Sequence, residues 1–153
     1  MQTSGFNYNQ YVFDWQKYLN TFDFYTKNNN GTLEISQKNY CVNCYIGKSE
    51  ESVNQKYYQN SFSIPKGYSI RFELIKNGSP YIKNSSESII WEAINRGQQA
   101  TDAKEENHNF EGLFVNKNYC NAGAGYLGHH YLKCTIRRQF SDNIVLKFPI
   151  FVQ

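Results

Sequence analysis

The sequence has little of what marks a membrane or secreted protein. No stretch approaches the roughly 18 consecutive apolar residues that a membrane-spanning helix requires. The first residues, "MQTSGFNYNQ", lack the basic start and the apolar segment of a secretory signal. We therefore expect a cytoplasmic protein that has no membrane partner. The alternative is a protein whose leader has already been removed.

The sequence also has only a small net charge and no long run of basic or acidic residues. The formal net charge is +3, and the densest basic spot is the pair Arg137–Arg138. Nucleic-acid-binding proteins usually concentrate lysine and arginine on one face or along one helix. The sequence therefore predicts no nucleic-acid partner.

A glycine-rich stretch, "CNAGAGYLGHHYLKC", carries the pattern G-x-G-x-x-G at Gly123, Gly125 and Gly128. In a dinucleotide-binding fold this pattern must be followed by a helix whose N-terminus holds the pyrophosphate. The residues after Gly128, "HHYLKCTIRRQF", alternate as a strand does, so we expect no nucleotide cofactor. The glycines would instead give the backbone flexibility where the chain enters this strand. His129 and His130 would then face opposite sides of that strand and could not share a metal ion.

The four cysteines are Cys41, Cys44, Cys120 and Cys134. A strand would send Cys41 and Cys44 to opposite faces, whereas zinc requires converging ligands. We therefore favour four reduced thiols and no bound metal. A structural zinc site and a Cys120–Cys134 disulfide stay open as alternatives.

The sequence offers little support for catalysis. It contains no G-x-S-x-G, H-E-x-x-H or P-loop motif. Glu73 and Glu92 could form a carboxylate pair if their strands were neighbours. His108 lies near Glu105, Glu106 and Glu111, where a solvated acidic loop is favoured over a weak cation site. The prediction is that the protein is not an enzyme and has no catalytic residues.

Hydrophobic periodicity predicts the fold. Apolar residues spaced by three and four favour a helix over about Tyr8–Leu19, after which the period changes to two. The predicted strands include "TFDFYTK", "TLEIS", "YCVNCYI", "YSIRFELI", "SIIWEAI", "GLFV", "YLGHHYLKCTIRRQF" and "IVLKFPIFV". We predict an all-β protein, an antiparallel β-sandwich or jelly roll of about eight strands with an N-terminal helix at 8–19, as a single domain over 1–153.

Aromatic residues are abundant, with 13 Tyr and 11 Phe. Most would pack in the core or across strands. Tyr57, Tyr58 and Tyr126 lie near predicted loops, so we expect them to be exposed and to be the ligand-binding candidates.

Three segments, "FSIPKGYSIRFELI", "SESIIWEAI" and "YLKCTIRRQFSDNIVLKFPIF", follow one another in a hydrophobic pattern that resembles PixA/AidA-type bacterial inclusion-body proteins. The N-terminal helix and the single Met depart from that family. The resemblance implies a jelly-roll-like β-sandwich that is not catalytic and that accumulates or self-associates.

These observations lead to two functional predictions. The first is a non-enzymatic β-sandwich that acts through its surface as a self-associating structural or accumulating protein. Its expected partners are other copies of the same chain, in a homo-oligomer or a self-assembly. The alternative is a lectin-like carbohydrate-binding module with glycans as ligands, because Tyr and Asn near loops suit sugar recognition.

Overall fold

A computed structural model describes residues 39–58 and 61–153 of the chain. The predicted helix at 8–19 and the strands "TFDFYTK" and "TLEIS" lie outside the described residues. The single domain over 1–153 therefore stays a prediction.

Two antiparallel sheets form the described part of the chain. The strands of the first sheet are β1 (Tyr40–Gly47), β2 (Gln55–Tyr57), β3 (Ser69–Lys76), β4 (Ser79–Pro80) and β7 (Tyr119–Gly123). Their order is β2-β1-β3-β4, and β7 also pairs with β3. The predicted all-β, sandwich-like class is confirmed.

The strands of the second sheet are β5 (Glu87–Ile94), β6 (Asn107–His108), β8 (Gly128–Arg138) and β9 (Ile144–Val152). Their order is β6-β5-β8-β9. A short helix, α1 (Gln98–Ala103), follows β5. No helix in the described ranges is long and apolar enough to cross a membrane.

The core lies between the two sheets and follows the predicted alternation. On β3, Ile70, Phe72 and Leu74 are buried, as the period of two required. On β5, Ile89 and Trp91 face the same core. Because alternate side chains of a strand point to opposite faces, one face of each strand supplies the apolar layer of its sheet.

Aromatic rings join the two sheets across this core. Phe72 of the first sheet meets Phe148 of β9 edge to face, with 6.0 Å between ring centroids. Tyr57 of β2 also contacts Phe148, at 6.3 Å. Aromatic pairs at such distances add to the stabilisation that burial alone supplies.

One predicted strand was wrong and another was missed. "GLFV" is not a strand: a 3-10 turn spans Phe110–Gly112, and Phe110 and Glu111 adopt φ of 56° and 54°. The strand lies instead at "YCNAG", which forms β7 and pairs with β3 through five residues. Asn and Gly are poor strand formers, so pairing with β3 rather than local propensity determines β7.

The possible carboxylate pair is also corrected. Glu73 lies on β3 and Glu92 on β5, and these strands belong to different sheets. Both residues alternate with core residues and therefore face outward on opposite sides of the sandwich. Glu73 is paired with Arg71, whose Nε lies 2.9 Å from the carboxylate.

Candidate ligand-binding site

A cavity of about 380 Å³ opens at one end of the sandwich. It lies where β5, β7 and β9 end and β8 begins, so both sheets contribute to its wall. Its size falls in the range of about 300–1,000 Å³ that is usual for small-molecule sites in proteins.

The walls of the cavity are mostly apolar, and small side chains line part of them. They are formed by Ala93, Phe110, Ala124, Ile150 and Val152. Ala93 follows Ile89 and Trp91 on the inward face of β5, and the change from large side chains to a methyl group leaves space at the strand end.

His130 forms part of the cavity wall and connects two loops. The backbone N–H of Arg96 donates to its Nδ1 at 2.9 Å, and its Nε2 lies 2.7 Å from the carbonyl oxygen of Tyr126. Since Nδ1 accepts, the proton is on Nε2, and the ring is the neutral tautomer with both nitrogens engaged. Burial lowers the pKa of His130, and the Tyr126 carbonyl opposes this in part.

This arrangement predicts a loss of stability in mild acid. An unperturbed histidine has a pKa of about 6.5, and the folded state lowers it, so the unfolded chain takes up the proton more readily. The contribution of His130 is therefore complete above about pH 6.5 and is lost as the pH falls toward its folded pKa. We expect the free energy of unfolding in urea to fall between pH 7.5 and about pH 5, and to fall less in His130→Gln. An equal pH dependence in that variant would contradict the assignment.

Glu106 and Glu111 of the acidic stretch are exposed, as a solvated loop predicts, whereas Glu105 and His108 are half-buried and line the cavity. The Glu105 carboxylate lies 3.1 Å from His108 Nδ1, and Asn95 Nδ2 donates to the Glu105 carbonyl oxygen at 2.8 Å. Phe110 meets the His108 ring edge-on at 4.7 Å. No three His, Cys, Asp or Glu residues converge as a metal site within 39–58 and 61–153.

The glycine-rich stretch also borders the cavity, through Gly123, Gly125 and Tyr126. The strand predicted after it is confirmed, because β8 begins at Gly128. The His129–His130 prediction also holds: His129 stacks on Phe151 at 4.3 Å between centroids, whereas His130 faces the cavity.

Gly128 is the glycine of this stretch that the backbone requires. Its φ is +117°, and a Cβ there would lie 3.3 Å from the Arg96 carbonyl oxygen. At Gly123 and Gly125 a Cβ would meet no atom of the described residues within 4 Å, and neither has positive φ. Of the three glycines in the G-x-G-x-x-G pattern, the backbone conformation therefore requires only Gly128.

A pair of alanine substitutions separates these roles. Gly128→Ala should lower the free energy of unfolding by about 1–3 kcal/mol, because an L-residue at that φ is strained. Gly125→Ala should stay within about 0.5 kcal/mol of the parent chain. Urea denaturation of both variants would measure the difference, and equal effects would contradict the conformational explanation.

The three tyrosines predicted to be exposed ligand contacts differ in their burial and in their distance from the cavity. Tyr57 is 1% exposed and packs against Phe62 and Phe148, so its expected exposure was wrong. Tyr58 is 59% exposed and lies away from the cavity. Tyr126 lines the cavity.

The cysteines lie as the strand pattern predicted. Cys41 is exposed and Cys44 is buried on the opposite face of β1, which confirms that they do not converge. Cys120 and Cys134 are buried, and burial raises the pKa of both thiols. All four are free thiols in the structure, so the Cys120–Cys134 disulfide is not formed.

Several residues of the cavity escaped the sequence reasoning. Asn95, Phe110 and Ile150 carried no motif, and they lie on separate elements. The one available signal was Ala93, a small residue at the end of an otherwise bulky inward face.

Comparison with known proteins assigns a family to the chain. Residues 13–153 match the sequence model of the family described as "Adenylyl/Guanylyl and SMODS C-terminal sensor domain". A Staphylococcus aureus protein named cytidylate cyclase is 28% identical over 155 residues, which covers 95% of this chain. The chain spans about a third of that relative's length, 34%.

These matches correct four predictions. The resemblance to PixA/AidA-type inclusion-body proteins was wrong, because the family match covers nearly the whole chain. The self-associating structural role and the lectin-like role were wrong for the same reason. The prediction that the protein is not an enzyme was also wrong, because a relative named cytidylate cyclase is 28% identical over 95% of this chain.

Proposed function

Since the chain belongs to the family of adenylyl/guanylyl and SMODS C-terminal sensor domains, we propose that it senses a ligand on behalf of a nucleotide cyclase. We place the ligand in the cavity at the end of the sandwich. The observation that carries the proposal is this cavity of about 380 Å³, whose wall combines strand ends from both sheets with two hydrogen-bonded loops.

The position of the cavity suits a sensor. His130 joins the loop at Arg96 to the loop at Tyr126. Gln99 of α1 accepts from the Leu127 N–H at 3.0 Å and from Lys66 Nζ at 3.0 Å. A ligand that fills the cavity contacts all of these connected elements. If it binds one arrangement of the loops more tightly than another, it shifts the equilibrium toward that arrangement by the difference in affinity. Tyr126 is the aromatic residue we propose as a direct contact.

The partner proposed here is a small molecule, and the activity regulated is that of a nucleotide cyclase, as the name of the Staphylococcus aureus relative suggests. A cytoplasmic location and a homo-oligomeric state stay predictions from the sequence.

Filling the cavity tests this function. Ala93 lies on the inward face of β5 and lines the cavity, so Ala93→Phe should occupy it. We would insert this chain in place of the matching third of the Staphylococcus aureus cytidylate cyclase and measure cyclase activity. Ala93→Phe should change that activity by about tenfold or more, because effector coupling of 1–3 kcal/mol corresponds to about 5- to 150-fold.

Glu92→Leu is the matched control, because it enlarges the apolar surface on the outward face of the same strand. It should leave the activity of the chimaera within about twofold of the parent. Identical activity in Ala93→Phe and Glu92→Leu, with both variants folded, would refute the proposed function.

A further inference from the structure

We infer that the cavity selects a neutral or positively charged planar ligand that supplies N–H donors, with the size of a nucleoside, and that it rejects phosphate-bearing nucleotides. This inference rests on the proposed function and specifies the chemistry of the ligand.

The charge on the cavity wall is negative. Glu105 is the one formally charged side chain among the described residues that line it. The nearby Arg96 guanidinium lies over the Tyr131 ring, 5.7 Å from its centroid, on the outward face of β8. Lys66 Nζ is engaged by Gln99. A phosphate in this cavity would therefore face a carboxylate without an arginine or lysine to balance it, which is unfavourable.

Two backbone N–H groups of the glycine-rich stretch are already engaged. The Ala124 N–H donates to the carbonyl oxygen of Tyr68 at 2.8 Å, and the Leu127 N–H donates to Gln99 Oε1 at 3.0 Å. A phosphate-binding loop works because consecutive backbone N–H groups are free to face the anion. Both ring nitrogens of His130 are also engaged, so this residue has no proton to donate to a ligand.

The polar groups that line the cavity are mainly acceptors. The Glu105 carboxylate can only accept hydrogen bonds while it is ionised. In neutral His108, Nδ1 carries the ring proton and donates to the Glu105 carboxylate, so Nε2 is a second acceptor. Asn95 holds the backbone of this segment, because its N–H donates to the Glu106 carbonyl at 2.8 Å and its Nδ2 to that of Glu105. A ligand that brings N–H donors is therefore matched to the acceptors of Glu105 and His108.

The walls favour a flat molecule. Phe110 and Tyr126 present aromatic rings, and the methyl-sized side chains of Ala93 and Ala124 leave the space between the sheets open. Nucleobases combine a planar ring with exocyclic or ring N–H groups, and they stack on aromatic side chains. A free nucleoside joins these properties without a negative charge.

Binding of two matched sets of probes to the full chain tests the inference. Adenosine, guanosine, cytidine and uridine form the neutral set, and their 5′-monophosphates and 3′,5′-cyclic monophosphates form the anionic set. Isothermal titration should detect binding of at least one nucleoside, and its phosphorylated forms should bind about tenfold more weakly or worse, because like charges are brought together. Ala93→Phe should abolish the binding.

Two glutamate variants locate the source of the selectivity. Glu105→Gln removes the charge on the cavity wall and should reduce the preference for nucleoside over nucleotide by about fivefold or more. Glu106→Gln changes the neighbouring exposed residue, which does not line the cavity, and should leave the preference unchanged.

Three outcomes would overturn the inference. These are a nucleotide that binds as tightly as its nucleoside, an absence of binding by all four nucleosides, and an equal effect of Glu105→Gln and Glu106→Gln. None of them decides the proposed function, because the activity of the Ala93→Phe chimaera measures that separately.

Discussion

Phe72→Ala should lower the free energy of unfolding by about 3–5 kcal/mol, the range seen when a large aromatic is removed from a packed core. Phe72 is 1% exposed and meets Phe148 across the interface between the sheets. Its removal leaves a cavity where the two sheets are joined, and surrounding side chains relax only in part. Urea denaturation followed by the fluorescence of the buried Trp91 would measure the loss.

Phe140→Ala is the matched control, because it makes the same chemical change at a side chain that is 85% exposed. It should alter the free energy of unfolding by less than about 0.5 kcal/mol. If Phe72→Ala costs no more than Phe140→Ala, the two sheets do not share the core described above.

His130→Phe should cost about 2–4 kcal/mol. The ring keeps nearly the same shape, but the Arg96 N–H and the Tyr126 carbonyl lose their partners in a site where His130 is only 3% exposed. Each buried polar group left unsatisfied costs about 1–3 kcal/mol. The loss should also increase amide hydrogen exchange at Arg96, because its N–H donates directly to the ring.

Two conservative replacements test this explanation. Asn at position 130 can return an acceptor to Arg96, and Gln can return a donor to Tyr126. His130→Asn and His130→Gln should therefore each be more stable than His130→Phe. If His130→Phe were as stable as the parent chain, the paired hydrogen bonds would not hold these loops.

Much of the fold follows from the alternation of residues along single strands. The alternation of buried and outward residues along β3 and β5 follows from the period of two, because a strand that packs one face on a core must alternate. The separation of Cys41 from Cys44 and of His129 from His130 follows from the same geometry. These predictions needed no knowledge of which strands are neighbours.

The remainder depends on contacts between distant parts of the chain. β7 contains Asn and Gly and forms because β3 offers an edge to pair with. His130 gains its role from Arg96, 34 positions away in the sequence. The cavity is assembled from the ends of several strands, so no local pattern could identify it. Tyr57 was expected at the surface because a loop was predicted beside it, yet its ring turns into the core.

The functional prediction failed for a related reason. A β-sandwich hosts many activities, and the likeness to inclusion-body proteins rested on hydrophobic spacing that such folds share. The family match extends over residues 13–153. The G-x-G-x-x-G pattern, the most conspicuous motif, reflects the backbone at Gly128 and is followed by the strand β8 instead of a helix.

We propose that the cavity between the sheet ends binds a nucleoside. Two-dimensional amide NMR of the isotope-labelled chain, titrated with the four ribonucleosides, measures this binding residue by residue. Amide signals of Asn95, His108, Gly123 and Gly125 should shift with nucleoside concentration, and these shifts should be absent in Ala93→Phe. An unchanged spectrum with all four nucleosides, or shifts confined to the outward face around Arg71 and Tyr119, would contradict it.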